Sequence, residues 1–263
     1  MSDSLRLTRP PVHEVRLALM FQELPKLRTL DLAPLRVEWR DEYPELQEST
    51  PLPPWQASER EAVEFVGSGV SWPMGLCSLS TDLGDRRIKF QQDRFILHWT
   101  FGEGQQYPGY QSLRAELLEK FDQFSKLSHD ASGTIPEVKR ADARYVNRLS
   151  GISSHEAMTG VLTGWSASSA FPFREPDYSG FRVHYFESEL DSRVEVLIGV
   201  DSIVAEDASG ELADSSSLLL EAEARVDMED NFASRLDAAH DVITKAFLEI
   251  TSTQMRREWG EPE

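Results

Sequence analysis

One stretch, Arg86–Leu127, constrains the fold more than any other, because two alternating strands and an amphipathic helix follow one another in it. The apolar positions of each strand share one face: Ile88 and Phe90 in the first, and Phe95, Leu97 and Trp99 in the second. Pro108 suits the first turn of a helix, where its missing N–H costs no hydrogen bond. The helix has apolar residues at helical spacing (Leu113, Leu117, Phe121 and Phe124) and polar residues predicted to face away from them (Arg114, Glu116, Glu119 and Asp122). The stretch therefore predicts a hairpin followed by a helix that covers one face of its sheet.

The second half of the chain repeats this plan. Alternation predicts strands over Phe181–Glu187 and Arg193–Val204, and EDASGELADSS predicts a hairpin loop after them. The inward face of the next predicted strand consists of Leu218, Leu220, Ala222, Ala224 and Val226. A helix is predicted from about Phe232 to Thr253, with an apolar stripe that consists of Leu236, Ala239, Ile243, Ala246, Phe247 and Ile250.

Strands followed by a helix, given twice, predict the α+β class. We interpret the chain as two antiparallel β-meander-plus-helix units, which can form a pseudo-duplicated pair of sheets, each covered by a long helix. Residues 1–150 are the first unit, 151–180 a crossover connection and 181–263 the second unit, although a chain of 263 residues can also form one compact domain. The halves share negligible sequence identity, so the repeat rests on the pattern of elements alone.

The segment before the opening stretch carries shorter signals. Val12–Phe21 alternates as a strand. Asp31 can cap a short helix with Pro34 in its first turn, which places Leu32, Leu35 and Trp39 on one side. Glu42–Pro54 contains four prolines and predicts an extended surface connection, and the following MGLCSLSTD predicts a strand.

The formal charge of −18 constrains the partners of the chain. An acidic surface favours solubility and disfavours nucleic acid and anionic membranes as partners. Glu187–Asp230 contains fourteen acidic residues and two arginines, a net charge of −12. Two interpretations stay open: the acids line the solvated faces of strands, or they form an acidic face for a basic partner. The most basic local patch is KRADARYVNR, which starts at Lys139.

Cys77 is the only cysteine, which excludes an intramolecular disulfide and a zinc site built from cysteines. A single thiol is compatible with a reducing cytosol. No apolar run approaches the length of a membrane span, and the first residues lack the apolar core of a secretory signal. We therefore expect a cytoplasmic protein without a membrane-spanning segment.

Sequence motifs for catalysis are missing. No phosphate-binding loop and no G-x-S-x-G elbow occur, and the six histidines lack metal-binding spacing. We therefore assign no catalytic residue, no metal ligand and no cofactor. Five polar residues in apolar surroundings are candidate ligand-binding residues: His98, Tyr145, Asn147, His184 and His240. Each also suits a structural role, in which a buried polar group finds a hydrogen-bond partner inside the fold.

The order of several short motifs resembles one known family. The motifs are PPVxEV at Pro10–Val15, DRF with a later Trp at Asp93–Phe95 and Trp99, YPxY at Tyr107–Tyr110, YVN at Tyr145–Asn147, and AHxxIxxxF at Ala239–Phe247 before Trp259. They resemble a sporadically distributed family of bacterial and archaeal proteins of about this length, and the resemblance covers nearly the whole chain. It implies a cytosolic prokaryotic protein and brings no known activity with it. Such patchy distribution is typical of defence or toxin–antitoxin gene neighbourhoods.

We predict a non-enzymatic binding protein whose partner is another protein or a second copy of the chain. The missing catalytic motifs, the acidity and the helix-backed sheets favour this over an enzyme. With the resemblance, they point to an accessory or antidote component of a prokaryotic defence or toxin–antitoxin type system. The alternative is an enzyme or a small-ligand binder whose site lies between the two halves and uses the five candidate residues.

Overall fold

The computed structural model describes residues 7–56, 74–102, 106–162, 180–187, 193–206 and 212–261. The strands are β1 Val12–Phe21, β2 Glu45–Ser49, β3 Leu76–Ser80, β4 Arg86–Gln91, β5 Arg94–Thr100, β6 Val138–Leu149, β7 Phe181–Phe186, β8 Val194–Glu206 and β9 Leu212–Arg225. The helices are α1 Ala33–Glu38, after a 3-10 turn at Thr29–Leu32, α2 Tyr110–Ser132, α3 Ser154–Glu156, which continues as a π-helix over Ala157–Val161, α4 Phe232–Ile250 and α5 Thr253–Glu258. None of these helices has an apolar stretch long enough to cross a bilayer.

The described strands form a sheet of nine strands in the order β2-β3-β4-β5-β1-β6-β9-β8-β7. The neighbouring strands β2 to β5 pair antiparallel, and so do β7, β8 and β9. The predicted α+β class and the antiparallel pairing are confirmed. The pairing as two separate sheets and the pseudo-duplication are not confirmed.

The chain divides into two compact units, and each unit draws on distant parts of the sequence. Unit 1 consists of Met1–Val15, Ala143–Ala224 and Leu236–Glu263, and unit 2 of Arg16–Asp142 and Arg225–Arg235. Of the predicted crossover at 151–180, residues 163–179 lie outside the described part of the chain, as do residues 207–211 of the predicted hairpin loop.

The core of unit 2 is an aromatic cluster between its strands and α2. Phe95 on β5 lies 5.3 Å from Phe124 and 5.6 Å from Phe121, measured between ring centroids. Phe90 on β4 lies 5.6 Å from Phe124, and Phe21 of β1 lies 5.8 Å from the same ring. Each large apolar side chain buried in this way contributes about 1.5–3 kcal/mol to stability. The hairpin and helix predicted from Arg86–Leu127 are therefore confirmed.

The ends of α2 are set by glycines. Gly109 precedes the helix with φ of +85°, and Gly133 ends it with φ of +74°. The Gly133 N–H donates to the His129 carbonyl at 2.7 Å, which closes the last turn in a left-handed C-cap.

One side chain of α2 departs from the predicted pattern. Helical spacing predicts Glu116 on the outer face, but its side chain is only 11% exposed and bonds Tyr43 and Arg86 from distant segments.

The Pro-rich segment Glu42–Pro54 contains a strand that its sequence does not predict. β2 pairs with β3 from Glu45↔Ser80 to Ser49↔Leu76, and its five residues are all exposed. Neither of its faces is buried, so no apolar alternation marks it in the sequence.

In unit 1, the strand and helix faces that are buried are the apolar faces predicted from the sequence. The side chains of Val194, Val196 and Val200 on β8 and of Leu218 and Leu220 on β9 are buried. The predicted stripe of α4 is buried as well, at Leu236, Ala239, Ile243, Ala246 and Phe247. β7 pairs with β8 over its full length, which matches the strand predicted at Phe181–Glu187.

Candidate functional site

Two of the five candidate residues meet in unit 1. Tyr145 lies on β6 with its side chain buried, and its hydroxyl is 3.1 Å from Nδ1 of His240 on α4. Burial lowers the His240 pKa to about 4, although the charge of Asp237 raises it in part. The imidazole is therefore neutral at neutral pH, and the pair is a hydrogen-bonded couple without charge.

The other three candidate residues have different surroundings. The Asn147 side-chain amide is buried and donates to the Leu218 carbonyl at 3.2 Å. His184 lies on β7, where its Nε2 is 3.4 Å from the Glu195 carboxylate. His98 lies on β5 in unit 2. The structure brings Tyr145 and His240 together, and a shared ligand site for all five residues stays a prediction.

Two grooves lie in unit 2. One of about 420 Å³ runs between α1 and α2, and its lining includes Leu35, Glu38 and Asp130. A second of about 570 Å³ is lined by Leu30, Met74 and other residues next to β2. None of the five candidate residues lines either groove.

Cys77 lies buried beside Glu48 in unit 2. Burial and the neighbouring Glu48 carboxylate raise the pKa of the thiol to about 12. A thiol with such a pKa is not a nucleophile at neutral pH. Among the described residues, no group of three or more His, Cys, Asp or Glu side chains is arranged to hold a metal ion.

A partly buried network that no sequence motif indicates joins α2 to the segment after α1. The Tyr43 hydroxyl donates to the Glu116 carboxylate, which also accepts from Arg86 at 3.3 Å. Burial and the Glu116 charge raise the pKa of Tyr43. The buried Lys120 ammonium lies 2.6 Å from the Glu42 carboxylate. These partners are far apart in sequence, so no local motif reveals them.

A second buried network holds residues 52–55 against the turn between β4 and β5. The Asp93 carboxylate accepts from Arg94 at 2.8 and 3.0 Å and from the Trp55 backbone N–H at 3.2 Å. Arg94 also donates to the Pro53 carbonyl, and Gln91 bonds the backbone of Leu52 in both directions. All charged groups here are satisfied within the fold, which indicates a structural role.

The acidic stretch Glu187–Asp230 is partly neutralised by basic side chains of other elements. The ion pairs are Arg144–Glu221 at 3.9 Å, Arg182–Asp201 at 3.2 Å and Lys245–Glu187 at 3.8 Å. These pairs place basic side chains beside three of the described acids of this stretch, and both interpretations of the stretch stay predictions.

β7 ends the strand order of the sheet, and its hydrogen-bond pattern is fixed by its register. The Glu187 N–H donates to the Val194 carbonyl at 2.9 Å, in line with the register of Phe181↔Val200. In an antiparallel ladder every second residue bonds a given neighbour. The main-chain groups of Val183 and Tyr185 therefore face β8, whereas those of Arg182, His184 and Phe186 face away from β8.

The two strands at the ends of the described sheet differ in how they are protected. β2 carries two glutamates and is bracketed by Pro44 and Pro51, which discourage pairing with another strand. β7, with the sequence FRVHYF, has neither acid nor proline. Its Val183 and Phe186 side chains are 48% and 60% exposed. Within the described part of the chain, no strand other than β8 pairs with β7.

Comparisons with known proteins add little. No family model matches the chain, and no curated protein matches it. The substrate-free duplicated taurocyamine kinase from Schistosoma mansoni gives a TM-score of 0.37 at 10% identity, over 90% of this chain and 33% of that chain. The same duplicated kinase with bound transition state analog components gives 0.36 at 12% identity, over 94% and 34%. This chain spans about a third of the length of those chains, and similarity at this level carries no argument about fold or function.

Proposed function

We propose that the chain is a cytoplasmic, non-enzymatic binding protein that takes up an extended segment of another protein as an additional strand beside β7. The observation that carries the proposal is the outward row of main-chain groups at Arg182, His184 and Phe186. An added strand gains its affinity from such groups and its specificity from pockets for alternate side chains.

The exposed apolar side chains of β7 also favour its outer edge as the binding site. A sheet edge that is long, flat and apolar invites pairing with another chain, and proteins usually protect it with charges or proline. β2 carries two glutamates and is flanked by prolines, whereas β7 contains Arg182 as its single formal charge and no proline. An added strand would cover Val183 and Phe186, the two exposed apolar side chains of β7.

The net charge favours a different protein over a second copy as the occupant. Two chains of charge −18 repel each other at long range. Antiparallel pairing of two β7 strands that keeps the faces aligned sets basic residues opposite each other, such as Arg182 against His184. An accessory or antidote role in a prokaryotic defence system is part of this proposal and rests on the sequence resemblance alone.

Site-specific photo-crosslinking in native cells tests the proposal. A photoreactive amino acid replaces Phe186 on β7 or, as a matched control, Leu46 on β2, which is 49% exposed. We expect a discrete adduct with a second protein from position 186 and none from position 46. The captured protein is then purified, and its binding to the full chain is titrated.

Two variants at one position separate strand addition from other binding. His184→Pro removes an outward N–H without touching the β8 ladder, whereas His184→Gln keeps that N–H and removes only the imidazole. We expect His184→Pro to abolish binding of the captured protein and His184→Gln to retain most of it. Equal binding by both variants, or adducts confined to the same chain, would overturn the proposal.

A further inference from the structure

We infer that the strand accepted by β7 alternates acidic and apolar residues, with the acids on the face of Arg182 and His184. The inference rests on the proposed function, because it names the chemistry of the segment that β7 would take. It follows from what β8 already presents to β7 on the opposite side.

Among the described residues, the carboxylates that pair with Arg182 and His184 come from β8. Arg182 is directly opposite Gly199 and pairs diagonally with Asp201 at 3.2 Å. His184 is directly opposite Leu197 and lies 3.4 Å from the diagonal Glu195. The Arg182 and His184 side chains are still 65% and 56% exposed. A guanidinium has five N–H donors, and the Asp201 pair uses one of its terminal nitrogens.

The register fixes which positions of an added strand meet these side chains. Because the main-chain groups of Arg182, His184 and Phe186 point outward, each forms a hydrogen-bonded pair with the residue opposite it in an antiparallel neighbour. Directly opposite residues share one face of the sheet, with Cβ atoms about 5 Å apart. Acids opposite Arg182 and His184 would therefore contact them.

The other face of the added strand meets apolar surface. Val183 lies on the opposite face of β7 from Arg182 and is 48% exposed. A residue opposite Val183 is buried against it when the edge is filled, which favours an apolar side chain there. Phe186 lies on the same face as Arg182 and His184, and because it is 60% exposed it also favours an apolar residue opposite it. From the position opposite Phe186 to the position opposite Arg182, an antiparallel segment therefore has the pattern apolar, any residue, acid, apolar, acid.

The charges closest to the added strand, and not the net charge of the whole chain, determine which strand sequence β7 prefers. The charge nearest to the two predicted acids is the Arg182 guanidinium, and the His184 imidazole two residues along the strand is a hydrogen-bond donor. More distant acids of the chain are screened at physiological salt within a Debye length of about 8 Å. The negative charge of the whole chain favours a basic segment, so preference for an acidic one is a strict test.

Two synthetic peptides test the inference against the full chain. Both are acetylated and amidated and follow the pattern above, and they differ only at the two charged positions, which are Glu in one and Lys in the other. Binding is followed by fluorescence anisotropy at physiological salt. We expect the Glu peptide to bind about tenfold more tightly, because opposite charges directly across two strands stabilise the pairing and like charges destabilise it. Arg182→Gln should reduce this preference.

The outcomes separate the inference from the proposed function. If both peptides bind equally, or the Lys peptide binds more tightly, and His184→Pro abolishes both, strand addition stands and the inference is overturned. If neither peptide binds, or His184→Pro leaves binding intact while His184→Gln behaves the same, both the inference and the proposed function are overturned.

Discussion

The buried pair of His240 and Tyr145 predicts a specific dependence of stability on pH. The His240 pKa is about 4 in the folded chain and returns to its ordinary value of 6.5 on unfolding. The unfolded state therefore binds more protons between these two values, and stability falls as the pH falls through this window. Above pH 6.5 the residue contributes no further pH dependence.

The magnitude follows from the two pKa values. At pH 5 the unfolded imidazole is almost fully protonated and the folded one almost fully neutral, so the slope approaches about 1.36 kcal/mol per pH unit. Between pH 7 and pH 5, His240 alone lowers the free energy of unfolding by about 2 kcal/mol. Other groups titrate in the same range, so the comparison must be with a variant that lacks only this imidazole.

His240→Gln is that variant, because glutamine keeps a polar group near the Tyr145 hydroxyl and does not titrate. Urea unfolding gives the free energy of unfolding of the wild type and the variant at pH 7 and at pH 5. The loss between the two pH values should be about 2 kcal/mol larger in the wild type than in the variant. An NMR titration of the imidazole protons gives the pKa directly. Tyr145→Phe is the control: since burial is the main cause of the shift, the pKa should stay well below 6.5 in that variant. A His240 pKa near 6.5, or equal pH dependence of wild type and His240→Gln, would refute the reasoning.

Three further substitutions test the rest of the packing, each by urea unfolding at neutral pH. Tyr43→Phe removes the donor to the buried Glu116 carboxylate and should cost about 1–3 kcal/mol; no loss would show that this contact is absent. Asp93→Ala leaves the buried Arg94 without its carboxylate and should cost about 3–5 kcal/mol, and a loss below 1 kcal/mol would contradict a buried ion pair. Gly133→Ala forces a side chain into a left-handed C-cap and should cost about 1 kcal/mol, whereas a stabilised variant would contradict the positive φ.

Local periodicity was sufficient to predict most elements of the fold. The hairpin and helix of Arg86–Leu127 have one face buried against the other, so apolar residues recur at spacings that identify strand or helix. β2 has no buried face, so its pairing depends on β3 and leaves no pattern of its own. The joining of all nine strands in one order could not be predicted, because periodicity does not specify which strands are neighbours.

The short motifs behind the family resemblance have structural explanations. The Asp93 and Arg94 side chains form a buried ion pair, and the next residue, Phe95, enters the aromatic core. Tyr107 packs on Trp99 with 5.4 Å between ring centroids, and Tyr110 is buried at the start of α2. These residues build unit 2, so their recurrence in a family would not by itself identify a ligand site.

The candidate site was harder to predict than the fold, because its contacts join distant segments. Tyr145 and His240 are 95 positions apart, and their contact depends on α4 packing beside β6. Tyr43 and Glu116 are 73 positions apart, and helical spacing places Glu116 among the outward residues of the helix. The outward row of β7 depends on its register with β8, which alternation within FRVHYF cannot give.

The central claim is that the outer edge of β7 is open and accepts a strand. Hydrogen exchange resolved by residue tests it most directly, in the free chain and with the Glu peptide. In the free chain the amides of Val183 and Tyr185 should be protected and those of Arg182, His184 and Phe186 should exchange rapidly, and the peptide should protect these three. Protection of the three outward amides in the free chain, or no change when the peptide is added, would contradict the account.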